Sequence, residues 1–515
     1  MDPITTLLYA SLIYILFVAI ILNFLSSHKR LKRNLPLSPS PTFPIIGHLR
    51  LLSDLPHRTF HELSQKLGPV FSLQLGNRLA VVVSSPSAVE ECFTKNDIIL
   101  ANRPYFISWK FIGYNYTSMI ESPYGDHWRK MRRLLTVEIF STTRLNSSLS
   151  IRQDQVKHLL RDLRSTSVIF HFYSCEHEVR IVFQKFTYDS SSRLSELSFN
   201  NIMSMISGVK CLNQGEFLNF EAKEILNIID EIFKLRGVSH LADFLPFLRF
   251  FDYQNYEKNF SALQKKMDAF LEHLIDQHRL SNDGNSMIDH LLVLQEKQPD
   301  YYTNEIIKGL LLFMILAGTD TSWITLEWAL SLLVNHPDVL KKVATELDAQ
   351  IGQDRLLDES DLAKLPYLHG VILETIRMFP AGPLLVPHMS SEDCKIVGFD
   401  VPRGTVLIVN AWAINRDPDI WEEAEMFKPD RFEDGEAESG YKLMTFGMGR
   451  RACPGVALAY RIMGLALGSL IQCFHWKRLS ENELVDLSEG KGLSMPKAQP
   501  LEVMCKARQI LHKHL

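Results

Sequence analysis

The sequence predicts a mainly α fold with small β-sheets, preceded by one N-terminal transmembrane helix. Three observations carry that expectation: an uncharged apolar run near the start, a succession of segments with helical periodicity, and only short strand-like pieces bounded by Gly or Pro. Of the 515 residues, 46% are hydrophobic and 22% charged, an ordinary globular balance. A net charge of −4 supplies no broad basic field, so nucleic acid is not an expected partner.

Residues 1–3 form a stub before the apolar run at 4–25, which contains no charged side chain. As a helix that run spans about 33 Å, enough for a bilayer core. It is too long for a cleaved signal peptide, its basic residues lie after it, and no small-x-small cleavage site follows. Lys29, Arg30, Lys32 and Arg33 follow the run while only Asp2 precedes it, which places the body of the protein on the cytosolic side of a single-pass anchor. Residues 26–47 then read as a basic and proline-rich hinge, with Pro36, Pro39, Pro41 and Pro44 favouring stiff, extended chain. Nothing after it reads as a linker, so 48–515 is expected to be one domain.

Within that domain, 69–84 reads as a hairpin turning at Gly76-Asn77. Helical periodicity follows at 126–135, 201–209, 221–235, 263–278, 304–334, 338–351 and 368–379, with strand-like pieces at 394–397 and 405–410. The stretch 304–334 is apolar enough to span a membrane, but Glu305, Lys308, Asp320 and Glu327 interrupt it. A buried helix crossing the centre of a large domain is the expectation.

Seven cysteines (92, 175, 211, 394, 453, 473 and 505) are odd in number and never spaced as CxxC, against a disulfide framework or a structural zinc site. Only Cys453 sits in a chemically suggestive place. Gly447, Gly449 and Gly455 permit tight turns close to a flat cofactor, and neighbouring N–H groups can point at the sulfur and stabilise its thiolate. Arg451 offers a cation to a nearby acidic group, and a helix starting near Val456 would favour the thiolate further.

The pattern Phe446-x-x-Gly449-x-Arg451-x-Cys453-x-Gly455 resembles the haem-binding signature of the cytochrome P450 monooxygenases. The resemblance implies the cytochrome P450 fold and haem b (iron protoporphyrin IX), with Cys453 as the metal ligand and Phe446, Gly447, Arg451 and Gly455 around it. Trp128 and Arg132 resemble the family's WxxxR and are expected to bind the cofactor, Arg132 at one haem propionate, and His388 stands where the family often carries Arg or His for the other. Glu374 and Arg377 lie three apart, on one helical face where they can pair. With Arg431 they resemble the family's Glu-Arg-Arg structural network. Ala317 to Ser322 resembles the oxygen-activating motif, with Thr321 as the alcohol and Asp320 as the acid of proton delivery. Phe111, Ala317, Leu385 and Val386 match segments that line the substrate cavity in relatives.

The reaction so implied inserts one oxygen atom from O2 into a small apolar substrate. Its electrons must come from outside, because no GxGxxG or flavin-like segment is visible. NADPH-cytochrome P450 reductase is the implied partner, with NADPH acting indirectly, and Lys130, Arg132, Arg133, Arg450 and Arg451 are candidates for its docking face. The chain looks like the plant microsomal branch, at the endoplasmic reticulum membrane with a cytosolic catalytic domain. Residues 114–117, 124–128 and 241–248 resemble isoflavone and flavonoid hydroxylases, whose subfamily also includes enzymes acting on lignans and terpenoids. Two other readings remain open: a haem-dependent isomerase or dehydratase needing no reductase, and a non-enzymatic membrane haem carrier or sensor. Residues 165–192 are apolar and β-prone where relatives carry a polar loop, and read as an insertion or a mis-spliced stretch.

Overall fold

The apolar stretch after Thr303 organises the protein. The Thr303 side chain accepts the Ile306 N–H and so starts a helix, Asn304–Asn335, that stays α throughout its 32 residues. Its first half, from Ile307 to Leu316, is buried in one core with the helices Arg193–Ser207, Glu216–Arg236 and Tyr256–Leu280. Its second half, from Trp323 to Val334, belongs to another core with Pro366–Met378 and Val456–Cys473. Among the described residues, Asn304–Asn335 and Val456–Cys473 are long and apolar enough to cross a membrane, yet 83% and 72% of their most apolar windows are buried. They are core helices. Two of the charges that interrupt the first meet neighbouring elements: Lys308 bridges Asp268 at 2.7 Å and Glu272 at 2.9 Å, and Glu327 accepts the Leu501 N–H at 3.0 Å.

In this computed structural model the described residues are 33–515, apart from 170–178, 184–192, 209–215, 237–239, 281–285, 434 and 436–440, together with Ser11 and Tyr14. Apart from those last two residues, the anchor expected at 4–25 lies outside them. The other helices fall where their periodicity places them, with ends set by local chemistry. Asp126–Leu134, Pro337–Gln350 and Pro366–Met378 differ from expectation by a residue or two, the last two starting on a proline whose missing N–H costs nothing there. Arg193–Ser207, Glu216–Arg236 and Tyr256–Leu280 start five to eight residues earlier than the apolar periodicity alone suggests.

The largest sheet joins strands β1 (Val70–Leu75) and β2 (Arg78–Val83), which form the hairpin expected around Gly76-Asn77. β3 is Val179–Phe183, followed by β4 (His388–Met389), β5 (Cys394–Ile396), β6 (Phe399–Val401), β7 (Val406–Val409), β8 (Phe474–Arg478) and β9 (Leu501–Ala507). The four-stranded sheet runs β1-β2-β7-β4, with β2 parallel to β7 from Ala80↔Val406 to Val83↔Val409. Those eight residues are all buried, as an unbroken apolar run such as Ala80 to Val83 requires. β5 ends a residue earlier than expected, because Val397 (φ 49°) and Gly398 (φ 80°) form the two-residue turn into β6.

The proline-rich hinge does not stand away from the domain. The Ser72 N–H donates to the Leu37 carbonyl at 2.7 Å, and the Ser72 hydroxyl to that of Pro36 at 2.8 Å. In the atypical 165–192 stretch, the helix Leu149–Ile169 extends into its start, and β3 pairs antiparallel with β9 from Val179↔Cys505 to Phe183↔Leu501.

Candidate active site

Where the two halves of the long helix meet, a cavity of about 350 Å³ opens against Ala317, Gly318 and Thr321. A Cβ on Gly318 would come within 2.4 Å of Ile202 Cδ1, so a larger residue there would have to push the Ile202 side chain aside. Thr321 donates its hydroxyl to the Ala317 carbonyl at 2.8 Å, which leaves the oxygen's lone pairs towards the cavity. Asp320, its neighbour in sequence, is buried and stands outside the cavity wall. A proton from Asp320 therefore has to travel through an intermediary.

Cys453 joins the same cavity from the loop that precedes the helix Val456–Cys473. Its N–H donates to the Phe446 carbonyl at 2.9 Å, and the Gly455 N–H points at its Sγ at 3.4 Å. Gly449 (φ 68°) turns this loop beside Asp97, whose Oδ1 would lie 2.6 Å from any Cβ there. Burial pushes the Cys453 thiol up, opposed by the Gly455 N–H and the Arg132 cation. Phe446, Gly447, Arg451 and Gly455 line the cavity with it.

A ring of cations is the other signature of the site. Arg132 lies on the cavity and donates to the Ala452 carbonyl at 2.5 Å. Arg451 donates to the carbonyls of Ala101 (2.8 Å), Met119 (3.2 Å) and Ser122 (2.6 Å). Burial, then the positive charges of Arg103 and Arg132, bring its pKa down to about 8. Arg103, which the sequence reading did not single out, also lines the cavity and donates to the carbonyls of Ile120, Val386 and Pro387. Burial lowers it to about 9. His388 lines the cavity too, with Nδ1 2.8 Å from the Leu100 carbonyl, and burial followed by Arg103 holds it well below its usual pKa. The Trp128 ring packs under the Arg451 guanidinium at 4.6 Å, and its buried Nε1 has no hydrogen-bond partner.

These residues fit a haem. No group of three or more His, Cys, Asp or Glu among the described residues could hold a metal ion, so a metal at Cys453 must bring its remaining ligands as a macrocycle does. Arg103, Arg132 and Arg451, all with depressed pKa values, face the cavity with Glu121 as the one carboxylate on its wall among the described residues, and Trp128 Nε1 lacks an acceptor. Carboxylates supplied with the macrocycle answer both deficits.

Of the residues expected at substrate, Ala317, Leu385 and Val386 line the cavity. Phe111 stands outside it; on the same short helix, Ile107–Ile112, Trp109 and Ile112 occupy the wall. Glu374, Arg377 and Arg431 come together: Glu374 receives Arg377 Nε at 2.6 Å and Nη2 at 2.8 Å, and Arg431 Nε at 3.1 Å. Of the five basic residues considered for docking, Lys130, Arg133 and Arg450 are exposed, whereas Arg132 and Arg451 turn inward to the cavity.

The family model for Cytochrome P450 matches residues 36–502. The chain belongs to the cytochrome P450 family and is a monooxygenase; membership implies haem, electrons from a redox partner, and a small-molecule substrate used with O2. It is 54% identical to Cytochrome P450 81Q32 of Catharanthus roseus over 99% of this chain and 98% of that one. It is 50% identical to isoflavone 3'-hydroxylase of Medicago truncatula, over 98% and 99%. Identity is 48% with the (+)-piperitol/(+)-sesamin synthase CYP81Q2 of Sesamum radiatum, over 99% and 98%. Among solved structures, a zebrafish cytochrome P450 with abiraterone superposes with a TM-score of 0.72 at 25% identity, covering 88% of this chain and 99% of that one.

Proposed function

We propose that this monooxygenase hydroxylates an apolar, aromatic plant metabolite of flavonoid or isoflavonoid type, drawing electrons from NADPH through NADPH-cytochrome P450 reductase. The observation that carries it is a single apolar cavity shared by Cys453, Thr321 and the aromatic wall of Trp109, Phe233 and Phe313. Flat ring systems suit such a wall. The isoflavone hydroxylase among the relatives favours isoflavonoids, and the sesamin synthase keeps lignans as the second substrate class.

Haem bound at Cys453 supplies the activation of dioxygen, which a thiolate ligand promotes by pushing electron density towards the O–O bond. The chain does the rest. The Gly455 N–H steadies the Cys453 sulfur. Arg103, Arg132, Arg451 and Trp128 would hold the haem carboxylates, with His388 beside the arginines on the cavity wall. The Thr321 oxygen, whose own proton goes to the Ala317 carbonyl, would accept a hydrogen bond at the cavity wall, and Asp320 would supply protons there through water. Glu374, Arg377 and Arg431 fix the segment behind the cofactor. Leu385, Val386 and Ala317 shape the space over it.

Residues 4–25 serve in this reading as a single-pass anchor in the endoplasmic reticulum, with 48–515 as the cytosolic catalytic domain. Phe250 and Phe251, 87% and 82% exposed, supply a second apolar contact for the membrane. Lys130, Arg133 and Arg450 form part of the reductase face. The test is a reduced carbon-monoxide difference spectrum of the holoenzyme, followed by 18O2 turnover with isoflavone and lignan panels and the reductase. A red-shifted band that Cys453→Ser abolishes, and labelled hydroxylated isoflavone, are expected. A band surviving Cys453→Ser would assign the metal to another ligand, and turnover of lignans alone would reverse the substrate order.

A further inference from the structure

Segment 113–122 supplies Ser118, Met119, Ile120 and Glu121 to the cavity wall. It begins with three consecutive non-glycine residues in the left-handed region, Tyr114 (φ 45°), Asn115 (φ 55°) and Tyr116 (φ 62°). Side chains disfavour that conformation, which persists where the surroundings over-determine it. The far end of the segment is tied to the haem-side cations, through Arg103 to the Ile120 carbonyl and through Arg451 to those of Met119 and Ser122.

The near end is tied to the two helices that pass behind it. Tyr114 is 4% exposed, and its ring lies over Gly309, where an added Cβ would sit 3.5 Å from Tyr114 Cδ2. Its hydroxyl donates to Asp268 Oδ1 at 2.9 Å. The same oxygen receives Lys308 Nζ at 2.7 Å, and Lys308 also reaches Glu272 at 2.9 Å. Lys308 thus pairs with Asp268 from the long helix, and burial, reinforced by the Asp268 carboxylate, pushes the Tyr114 phenol pKa up.

We propose that Tyr114 is a positioning residue for substrate, latching the wall 113–122 to the helices Tyr256–Leu280 and Asn304–Asn335 and so setting how large a ligand can pass in and out of the cavity. This rests on reading the cavity as a haem and substrate chamber. Releasing the hydroxyl loosens the start of the wall from these two helices alone, because Tyr116 still donates to the Phe106 carbonyl at 3.1 Å, His127 Nε2 stays 2.7 Å from the Thr117 carbonyl, and Arg103 and Arg451 hold the far end. The opening therefore matters for a bulky ligand and not for a small one.

The test uses the holoenzyme with Tyr114→Phe and, separately, Asp268→Asn. The probes are imidazole and clotrimazole, an imidazole carrying three aryl groups, each followed by its shift of the haem absorbance. Clotrimazole dissociation should quicken about tenfold in both variants, the scale set by one hydrogen bond to a charged acceptor. Imidazole dissociation and the carbon-monoxide band should stay as they were. Equal acceleration of both azoles, or of neither, would overturn the proposal, as would loss of the carbon-monoxide band in both variants, which would make the contact a requirement for cofactor retention. Absence of that band from the unsubstituted holoenzyme would overturn the chamber reading and this inference with it.

Discussion

Replacing Glu374 by alanine strips the acceptor from four donors at once: Arg377 Nε and Nη2, Arg431 Nε, and the Lys428 N–H at 2.9 Å. Glu374 and Arg377 have no exposed side-chain surface, so water cannot take the acceptor's place without opening the core. Removing one partner of a buried ion pair costs about 3–5 kcal/mol. An unsatisfied buried N–H adds about 1–3 kcal/mol. Against these losses, Arg377 keeps the carbonyls of Asn415 and Met426, and Arg431 keeps those of Glu422 and Glu423. A net loss of about 4–5 kcal/mol remains, a large share of the roughly 5–15 kcal/mol that holds a typical domain folded. The assay is the half-life of the carbon-monoxide band at raised temperature, because large chains unfold irreversibly and report a rate. Glu374→Ala should shorten it at least about 100-fold, and Glu374→Gln, which keeps a carbonyl acceptor, by less. A half-life for Glu374→Ala within twofold of the parent would refute the reasoning.

Three further outcomes are expected. Thr321→Ala removes the only hydroxyl this position offers to the cavity, and should lower product formation by about 10²-fold, the low end for lost proton delivery, while reductant consumption continues and peroxide appears. Trp128→Phe keeps the ring under Arg451 but deletes the N–H assigned to a haem carboxylate, so cofactor loss to apomyoglobin should quicken about tenfold. Burial opposes ionisation of Glu489, but hydrogen bonds from His57 (2.8 Å) and Arg58 (2.7 Å) outweigh it and bring its pKa from 4.5 to about 2. A depressed folded-state pKa gives stability that is full above about pH 4.5 and is lost as the pH falls through about 2. Glu489→Gln should therefore cost roughly 2–3 kcal/mol at neutral pH and flatten the acid limb of a stability-against-pH curve; an unchanged limb would remove Glu489 as its cause.

The sequence exposed the helices because their apolar faces repeat, and the haem loop because its residues sit next to one another. It hid whatever depends on how distant elements meet. Arg103 sits between Asn102 and Pro104 and looks like an ordinary loop arginine until the carbonyls of Ile120, Val386 and Pro387 close around it. Phe111 and its neighbours Trp109 and Ile112 are equally apolar, and only the docking of their helix decides which face meets the cavity. Lys308 and Glu327 looked like interruptions of an apolar helix. Their partners, Asp268 with Glu272 and the Leu501 N–H, lie on elements whose proximity no local pattern announces. Asp320 and Thr321 were legible as a pair, but successive helical positions diverge by about 100°, so Thr321 reaches the cavity wall while Asp320 does not.

The contact between His57 and Glu489 joins residues 432 apart in the chain. A ribosome adding about 5–20 residues each second needs roughly 20–90 s to travel that distance. Throughout that interval His57 lacks its Glu489 partner, and for the larger part of it the Ala80–Val83 edge of β2 waits for Val406–Val409 with its backbone groups on that side unpaired. An apolar strand edge in that state is a template for joining other chains. The early part of this protein must therefore be sheltered while it is being made, and a message truncated before residue 406 would leave that sticky edge permanently open.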